Sequence, residues 1–224
     1  MTSTENSSPR YEYQKSLKKS RPTFLTRAIR VNKYLNRPVA SLLVRALLHT
    51  GVSPNQVTVA SFIVGSAGAV FFALGKHENL ILGGILIQLA SILDCADGML
   101  ARARDAGTRY GAYLDILLDR IFEFLLFGGI VAGMIRTNQS MTLIILGLAA
   151  VSLYFLEVSL YYMTLNYSGE GQEEGMSELR ALMLLLILVF AVANRLDIAV
   201  YVLLSAALIN NLYIIVAFLR PIKE

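Results

Sequence analysis

Two pairs of aspartates interrupt a run of apolar residues. The first lies in Asp94-Cys95-Ala96-Asp97-Gly98-Met99-Leu100-Ala101-Arg102, and after eight more residues the second lies in Gly111-Ala112-Tyr113-Leu114-Asp115-Ile116-Leu117-Leu118-Asp119. Asp94 and Asp97 are three apart and Asp115 and Asp119 four apart, so on helices each pair shares one face. A short turn between them predicts two antiparallel neighbouring helices whose four carboxylates converge in one pocket. A charged side chain at membrane depth costs about 2.5–3.5 kcal/mol on insertion scales, and four together repel one another. Folding alone gives no reason for such a cluster, and a compensating cation is expected.

The surroundings make this a membrane problem. Hydrophobic residues are 55% of the 224-residue chain and charged residues 16%, against about a quarter charged in soluble domains. Runs near 54–74, 80–101, 111–135, 140–164, 179–194 and 197–219 predict six transmembrane helices, five and seven being the alternatives. The expected fold class is therefore an all-α integral membrane protein, its six spans preceded by an interfacial amphipathic helix. Ser53-Pro54 marks the start of the first span, serine as cap and proline at the first helical position.

Upstream, residues 1–22 are polar and Ser/Thr/Lys-rich, which predicts a disordered tail and no signal peptide. Residues 23–50 read as a juxtamembrane amphipathic helix, with Leu25, Ile29, Leu35, Leu42, Leu43 and Leu47 at helical intervals among Arg27, Arg30, Lys33, Arg37 and Arg45, and with a break at Pro38. Residues 51–224 form the transmembrane domain. Ten of the 20 Lys and Arg residues precede Gly51. The excess sits beside one span, which suits anionic lipid headgroups and argues against nucleic acid. With the N-terminus inside, 16 Lys and Arg fall on the cytoplasmic side and only Lys76, Arg136 and Arg195 on the other. Both termini and the aspartates are then expected at the cytoplasmic face of a multi-pass protein.

Hard oxygen ligands favour Mg²⁺, Mn²⁺ or Ca²⁺ over zinc, and neither His49 nor His77 falls inside the motif. Four aspartates can hold two ions, an arrangement suited to displacement at phosphorus. Gly98 and Gly111 lack side chains where a diphosphate would approach the backbone, and the planar fork of Arg102 can pair with it.

These residues resemble the CDP-alcohol phosphatidyltransferase family, whose signature is Asp-x-x-Asp-Gly-x-x-Ala-Arg, eight residues, then Gly-x-x-x-Asp-x-x-x-Asp. Every fixed position is present. The resemblance implies that Asp94, Asp97, Asp115 and Asp119 hold Mg²⁺ or Mn²⁺, and that Asp94, Asp97, Gly98, Ala101, Arg102, Gly111 and Asp115 hold the CDP part of a lipid-linked donor. It further implies that Asp119 takes the proton of the acceptor hydroxyl, that CMP leaves, and that the protein is a homodimer.

The run Tyr110–Arg120, with Leu35-Asn36-Arg37-Pro38 and Thr50–Thr58, is most similar to branches using inositol or inositol phosphate. Glycerol phosphate or another alcohol is the alternative acceptor, and CDP-inositol the alternative donor, although residues 1–50 are too short for the cytidylyltransferase fused to some such domains. Arg120 either pairs with a phosphorylated acceptor or balances the aspartates. Arg180 reads as a helix-end anchor, with an acceptor contact as the alternative. Glu123 is expected beside a basic group and Glu157 in a structural hydrogen bond. Cys95 reads as packing, and Glu170, Glu173, Glu174 and Glu178 as a solvated loop. From another class, a divalent-cation or proton-coupled transporter would spread its carboxylates through the bilayer depth and would leave the glycines and Arg102 without a role. A catalytically silent scaffold would not need the motif.

Overall fold

The computed structural model describes residues 30–168 and 173–219, with the side chains of these except 161–176 and 217–219. The expectations for the tail, for Phe24 to Ile29, for Glu170, Glu173 and Glu174, and for the last five residues fall outside that description. Among the described residues all regular structure is helical. Helix α1 spans Arg37–Leu47, α2 Pro54–Leu74, α3 His77–Ala103, α4 Arg109–Arg136, α5 Met141–Ser168, α6 Glu173–Val192 and α7 Leu196–Leu219. Four of them, α2, α3, α5 and α7, contain segments long and apolar enough to cross a membrane, with mean hydropathies of 2.1, 1.7, 2.2 and 2.0. These make the chain a multi-pass membrane protein. In α4 the apolar run is broken by Asp115, Asp119, Arg120 and Glu123. The outer faces are oily: Ile63 is 59% exposed, Phe124 68% and Ile209 65%.

The start of α2 forms as its sequence dictates. The Ser53 hydroxyl accepts from the Gln56 amide while Gln56 Oε1 accepts from the Ser53 amide, a reciprocal cap completed by Pro54 in the first turn. Pro38 does not break the segment before it. The chain is wound as a π-helix over Asn32–Asn36 and passes into α1 with Pro38 in its first turn, where a missing N–H costs little. Ala40 and Val44 of α1 pack with Val57, Ala96 and Leu100 of α2 and α3. The guanidinium of Arg104, just past α3, donates to the carbonyls of Leu47, Thr50 and Val52 and so fixes the α1–α2 corner.

One feature of the arrangement differs from expectation. Helices α3 and α4 are not each other's main neighbours; each packs against α2, which lies along both. The α2–α4 contact is close because glycines line it. A Cβ on Gly129 or Gly133 would overlap the backbone carbonyl of Ala69 or Phe72, as in the small-residue contacts of membrane helices. With α2 as the shared partner, the carboxylates of Asp94, Asp97 and Asp115 meet in the cleft between α3 and α4. Helix α6 packs on α3 beside it. Its buried stripe Ala181, Leu184, Ile187 and Ala191 faces inward, and Gly84 of α3 meets Leu188 and Ala191. Helix α7 packs on α5, where Asn210 Nδ2 donates to Glu157 Oε1; Glu157 has the structural partner expected of a buried carboxylate.

Candidate active site

Asp94 and Asp97 project from the last turns of α3, and Asp115 from the second turn of α4. One carboxylate oxygen from each lies within 4.8 Å of the others. Asp97 is 6% exposed, and its Oδ2 is buried without a hydrogen-bond donor. A buried carboxylate oxygen in that position is costly unless a cation faces it. An all-oxygen donor set of this size fits Mg²⁺ or Mn²⁺, so the residues present suit the expected metal.

Asp119 stands one turn beyond Asp115 and is held differently. Arg180, from α6, grips it with both ends of its fork: Nη1 is 2.5 Å from Asp119 Oδ2 and Nη2 2.5 Å from Oδ1. The same Nη1 lies 3.3 Å from Asp94 Oδ2. On the other edge, Nε is 3.2 Å from Glu123 Oε1, and the Phe122 ring lies 5.9 Å from the guanidinium carbon. The Arg180 side chain is only 12% exposed. It is thus an inward-facing member of the site and not a helix-end anchor; an Arg this deep is stable only with carboxylates on it.

Arg120 turns to Glu123, with Nη1 2.7 Å from Oε2 and Nη2 2.9 Å from Oε1. Glu123 is fully buried between the two arginines, with the Tyr154 hydroxyl also on it. Arg120 therefore balances Glu123 directly, and the aspartates only from a distance. Gly98 faces Arg102, whose Nη1 would lie 3.4 Å from an added Cβ. Ala101 is half-buried and Arg102 exposed on the same end of α3. Gly111 has protein close on one side. A Cβ there would stand 2.8 Å from Asn55 Oδ1 and 3.1 Å from Thr108 Oγ1, so its missing side chain admits the first turn of α2 and the Thr108 cap.

Glu178 is also placed differently. It is 5% exposed and accepts from the Asn32 amide at 2.8 Å, while Asn32 Nδ2 donates to the Ser177 carbonyl and hydroxyl. The π-wound turn is thereby fastened to α6 one turn before Arg180. Asn36, fully buried, donates to Asn32 Oδ1 and Ser91 Oγ and accepts from Gln88. Cys95 lies half-buried against Asn32 Oδ1, in keeping with packing. Only a faint trace of this strut is visible in the sequence. Asn32 and Asn36 sit one turn apart, but their partners are 145 and 55 residues away.

A multi-pass helical bundle with three carboxylates gathered between two helices defines a membrane protein with a cluster that could hold a divalent cation. The chain belongs to the CDP-alcohol phosphatidyltransferase family, whose profile matches residues 51–218. It is 31% identical over 194 residues to the bifunctional IPC transferase and DIPP synthase of Aquifex aeolicus, covering 83% of this chain and 42% of that protein. It is 40% identical over 93 residues to the phosphatidylinositol phosphate synthase of Mycobacterium marinum, covering 41% of this chain and 38% of that one. The matched region spans less than half the length of these curated relatives. Among solved structures, the apo phosphatidylinositol phosphate synthase of Mycobacterium tuberculosis superposes with a TM-score of 0.64 at 26% identity, over 80% of this chain and 94% of that one. The same enzyme has been solved with manganese and citrate; at 24% identity and a TM-score of 0.63, over 82% of this chain and 88% of that one, that likeness supports the fold.

Proposed function

We propose that this protein is a phosphotransferase of phospholipid synthesis that moves a phosphatidyl group from CDP-diacylglycerol to an inositol-type acceptor and releases CMP. The observation that carries this reading is the meeting of Asp94, Asp97 and Asp115 within 4.8 Å of one another, with Asp119 one turn away. The chemistry fits those positions. The acceptor hydroxyl oxygen attacks the phosphorus that bears the diacylglycerol oxygen, the bond from that phosphorus to the CMP oxygen breaks, and the hydroxyl proton passes to the Asp119 carboxylate. Divalent cations held by Asp94, Asp97 and Asp115, with Asp119 sharing the second, would neutralise charge developing on the phosphate oxygens.

Gly98, Ala101, Arg102, Gly111 and the three clustered aspartates hold the CDP part. Arg120 and Arg180, at the inner edge of the cleft, are the cations available to a phosphorylated acceptor. Inositol phosphate as the acceptor is supported by the synthases among the relatives and by the Asp119-Arg120 pair.

Six spans are proposed, counting α4 and α6 with the four apolar helices, because Asp115, Asp119, Glu123 and Arg180 face the cleft and not lipid. The π-wound turn and helix α1 lie in the interface, their outer face mixing Tyr34, Leu35 and Leu42 with Lys33, Arg37 and Arg45. The charge asymmetry puts the cleft at the cytoplasmic face, and the protein acts as a homodimer.

The test is incubation of the purified protein with CDP-diacylglycerol and inositol, inositol phosphate, glycerol phosphate or serine, with products read by mass. CMP release that requires Mg²⁺ or Mn²⁺ and the inositol phosphate product are expected. Asp119→Asn is expected to lower the rate by about 10²–10⁴-fold; an unchanged rate in a folded preparation would remove Asp119 as the base.

A further inference from the structure

Arg180 stands where its charge conflicts with the chemistry just proposed. A base that must accept a proton is held by both nitrogens of a guanidinium fork, at 2.5 Å each. The same nitrogen that grips Asp119 lies 3.3 Å from Asp94, one of the three cluster aspartates. A divalent cation in the cluster and the Arg180 fork would therefore compete for the same carboxylates. The cation brings two charges where the fork brings one, and it repels the fork.

We propose that Arg180 is a built-in placeholder for the divalent cations: it neutralises Asp119 and Asp94 until the cations load, and their arrival shifts its fork off Asp119. This rests on the reading of Asp119 as base and adds to it an order of events, cations before acceptor.

The surroundings of Arg180 fit a short swing better than a fixed strut. Nε, on the edge away from the aspartates, is tied to Glu123 at 3.2 Å, and the Phe122 ring lies alongside the guanidinium. These contacts involve neither Asp94 nor Asp119, and the planar guanidinium can tilt as one piece about this edge. Asp119 is 20% exposed and Arg180 12%, so neither side chain is fully sealed from water. Glu123, shared with Arg120, can carry more of the Arg180 charge once Asp119 is taken. A purely structural pair would instead seal both groups away and share no carboxylate with a cation cluster. The thermodynamic consequence is reciprocal: whatever Arg180 contributes to holding Asp119 is subtracted from cation affinity.

The experiment uses the full chain in detergent with Mn²⁺ alone as the probe, free Mn²⁺ being read by electron paramagnetic resonance. If the fork occupies the site nine-tenths of the time, its removal raises apparent affinity about tenfold. Arg180→Gln is expected to lower the Mn²⁺ Kd by about that factor, and Arg180→Lys, which keeps the charge but loses the fork, by less.

A second measurement needs no variant. Phenylglyoxal modification of Arg180 in the unaltered protein, followed by mass spectrometry with Arg120 as internal reference, is expected to speed up severalfold when Mn²⁺ is added. An unchanged or weaker Mn²⁺ affinity in folded Arg180→Gln overturns the proposal, and so does an unchanged labelling rate; if the variant does not fold, the labelling decides. Neither assay contains a nucleotide. Tighter Mn²⁺ binding in a protein that releases no CMP would sink the proposed activity and leave the placeholder standing. Mn²⁺-dependent CMP release with unaltered affinity in the variant would do the reverse.

Discussion

At the scale of single residues, the site is a problem in charge balance. Asp94, Asp119 and Glu123 crowd around two guanidiniums, those of Arg120 and Arg180, and Asp97 and Asp115 stand beside Asp94. Glu123 is the member most completely withdrawn from water, with both arginines on it. Removing one partner of a buried ion pair leaves its counterpart charged and uncompensated, at a cost of about 3–5 kcal/mol. Glu123→Ala is therefore expected to lower the thermal unfolding midpoint more than Arg102→Ala, whose side chain is exposed; comparable midpoints for the two variants would show that Glu123 holds nothing in place. The aspartates were legible in the sequence because their spacing alone puts them on one face and no folding rationale accounts for acids in an apolar run. Arg180 was not, since its partners are 61 and 86 residues away and a lone Arg near a helix start looks like an interfacial anchor. Glu178 was misread for a related cause: neighbouring acids suggested a solvated loop, while Asn32 on a distant helix supplies the hydrogen bond that lets it be buried.

At the scale of elements, helix α2 organises the cleft. It takes α3 on one side and α4 on the other, and the glycine contacts bring α4 close enough for the Phe122 ring to fill the space over Gly65. Gly133→Val would force a side chain onto the Phe72 carbonyl, and since that contact is backbone it cannot relax by a rotamer change. Overpacking costs about 1–3 kcal/mol, and the expected result is a lower unfolding midpoint together with weaker Mn²⁺ binding, because α4 carries Asp115. The adjacent Gly128→Val, open on its outer side, should change neither; equal damage from both would mean helix propensity, not the contact, sets the effect. Gly129-x-x-x-Gly133 is visible in the sequence as a pair of small residues one turn apart, but the partner helix is not. The short α3–α4 turn predicted helices whose carboxylates converge, as those of Asp94, Asp97 and Asp115 do, but it did not show that α2 would be the main partner of both. A tight connection constrains where two helices begin, whereas the surface each buries is chosen by side-chain shape, and both found α2. The capping of α2 by Ser53 and Gln56 was readable because every participant lies within one turn.

At the scale of the whole molecule, what matters is which side of the membrane receives the cleft. The α3–α4 connection and the helix ends that flank it carry Arg102, Arg104 and Arg109, while the α4–α5 connection and its flanking ends at the opposite end carry only Arg136. Cytoplasmic loops retain Lys and Arg during insertion, and short loops obey this bias most strictly. On that bias the two connections are expected to face opposite compartments, with the cleft inside. The chain offers a clean readout because Cys95 is its one cysteine. In a Cys95→Ala background, Gly107→Cys places a thiol in the first connection, where nothing lies within 4 Å of an added Cβ, and Gln139→Cys places one in the exposed second connection. A membrane-impermeant maleimide added to intact cells is expected to label Cys at 139 and to spare Cys at 107 until the membrane is opened. The reverse pattern would put the aspartates on the outer face and overturn the proposed orientation. Labelling of both in intact cells would mean that α4 does not span, and the six-span arrangement would then lose the helix that carries Asp115 and Asp119.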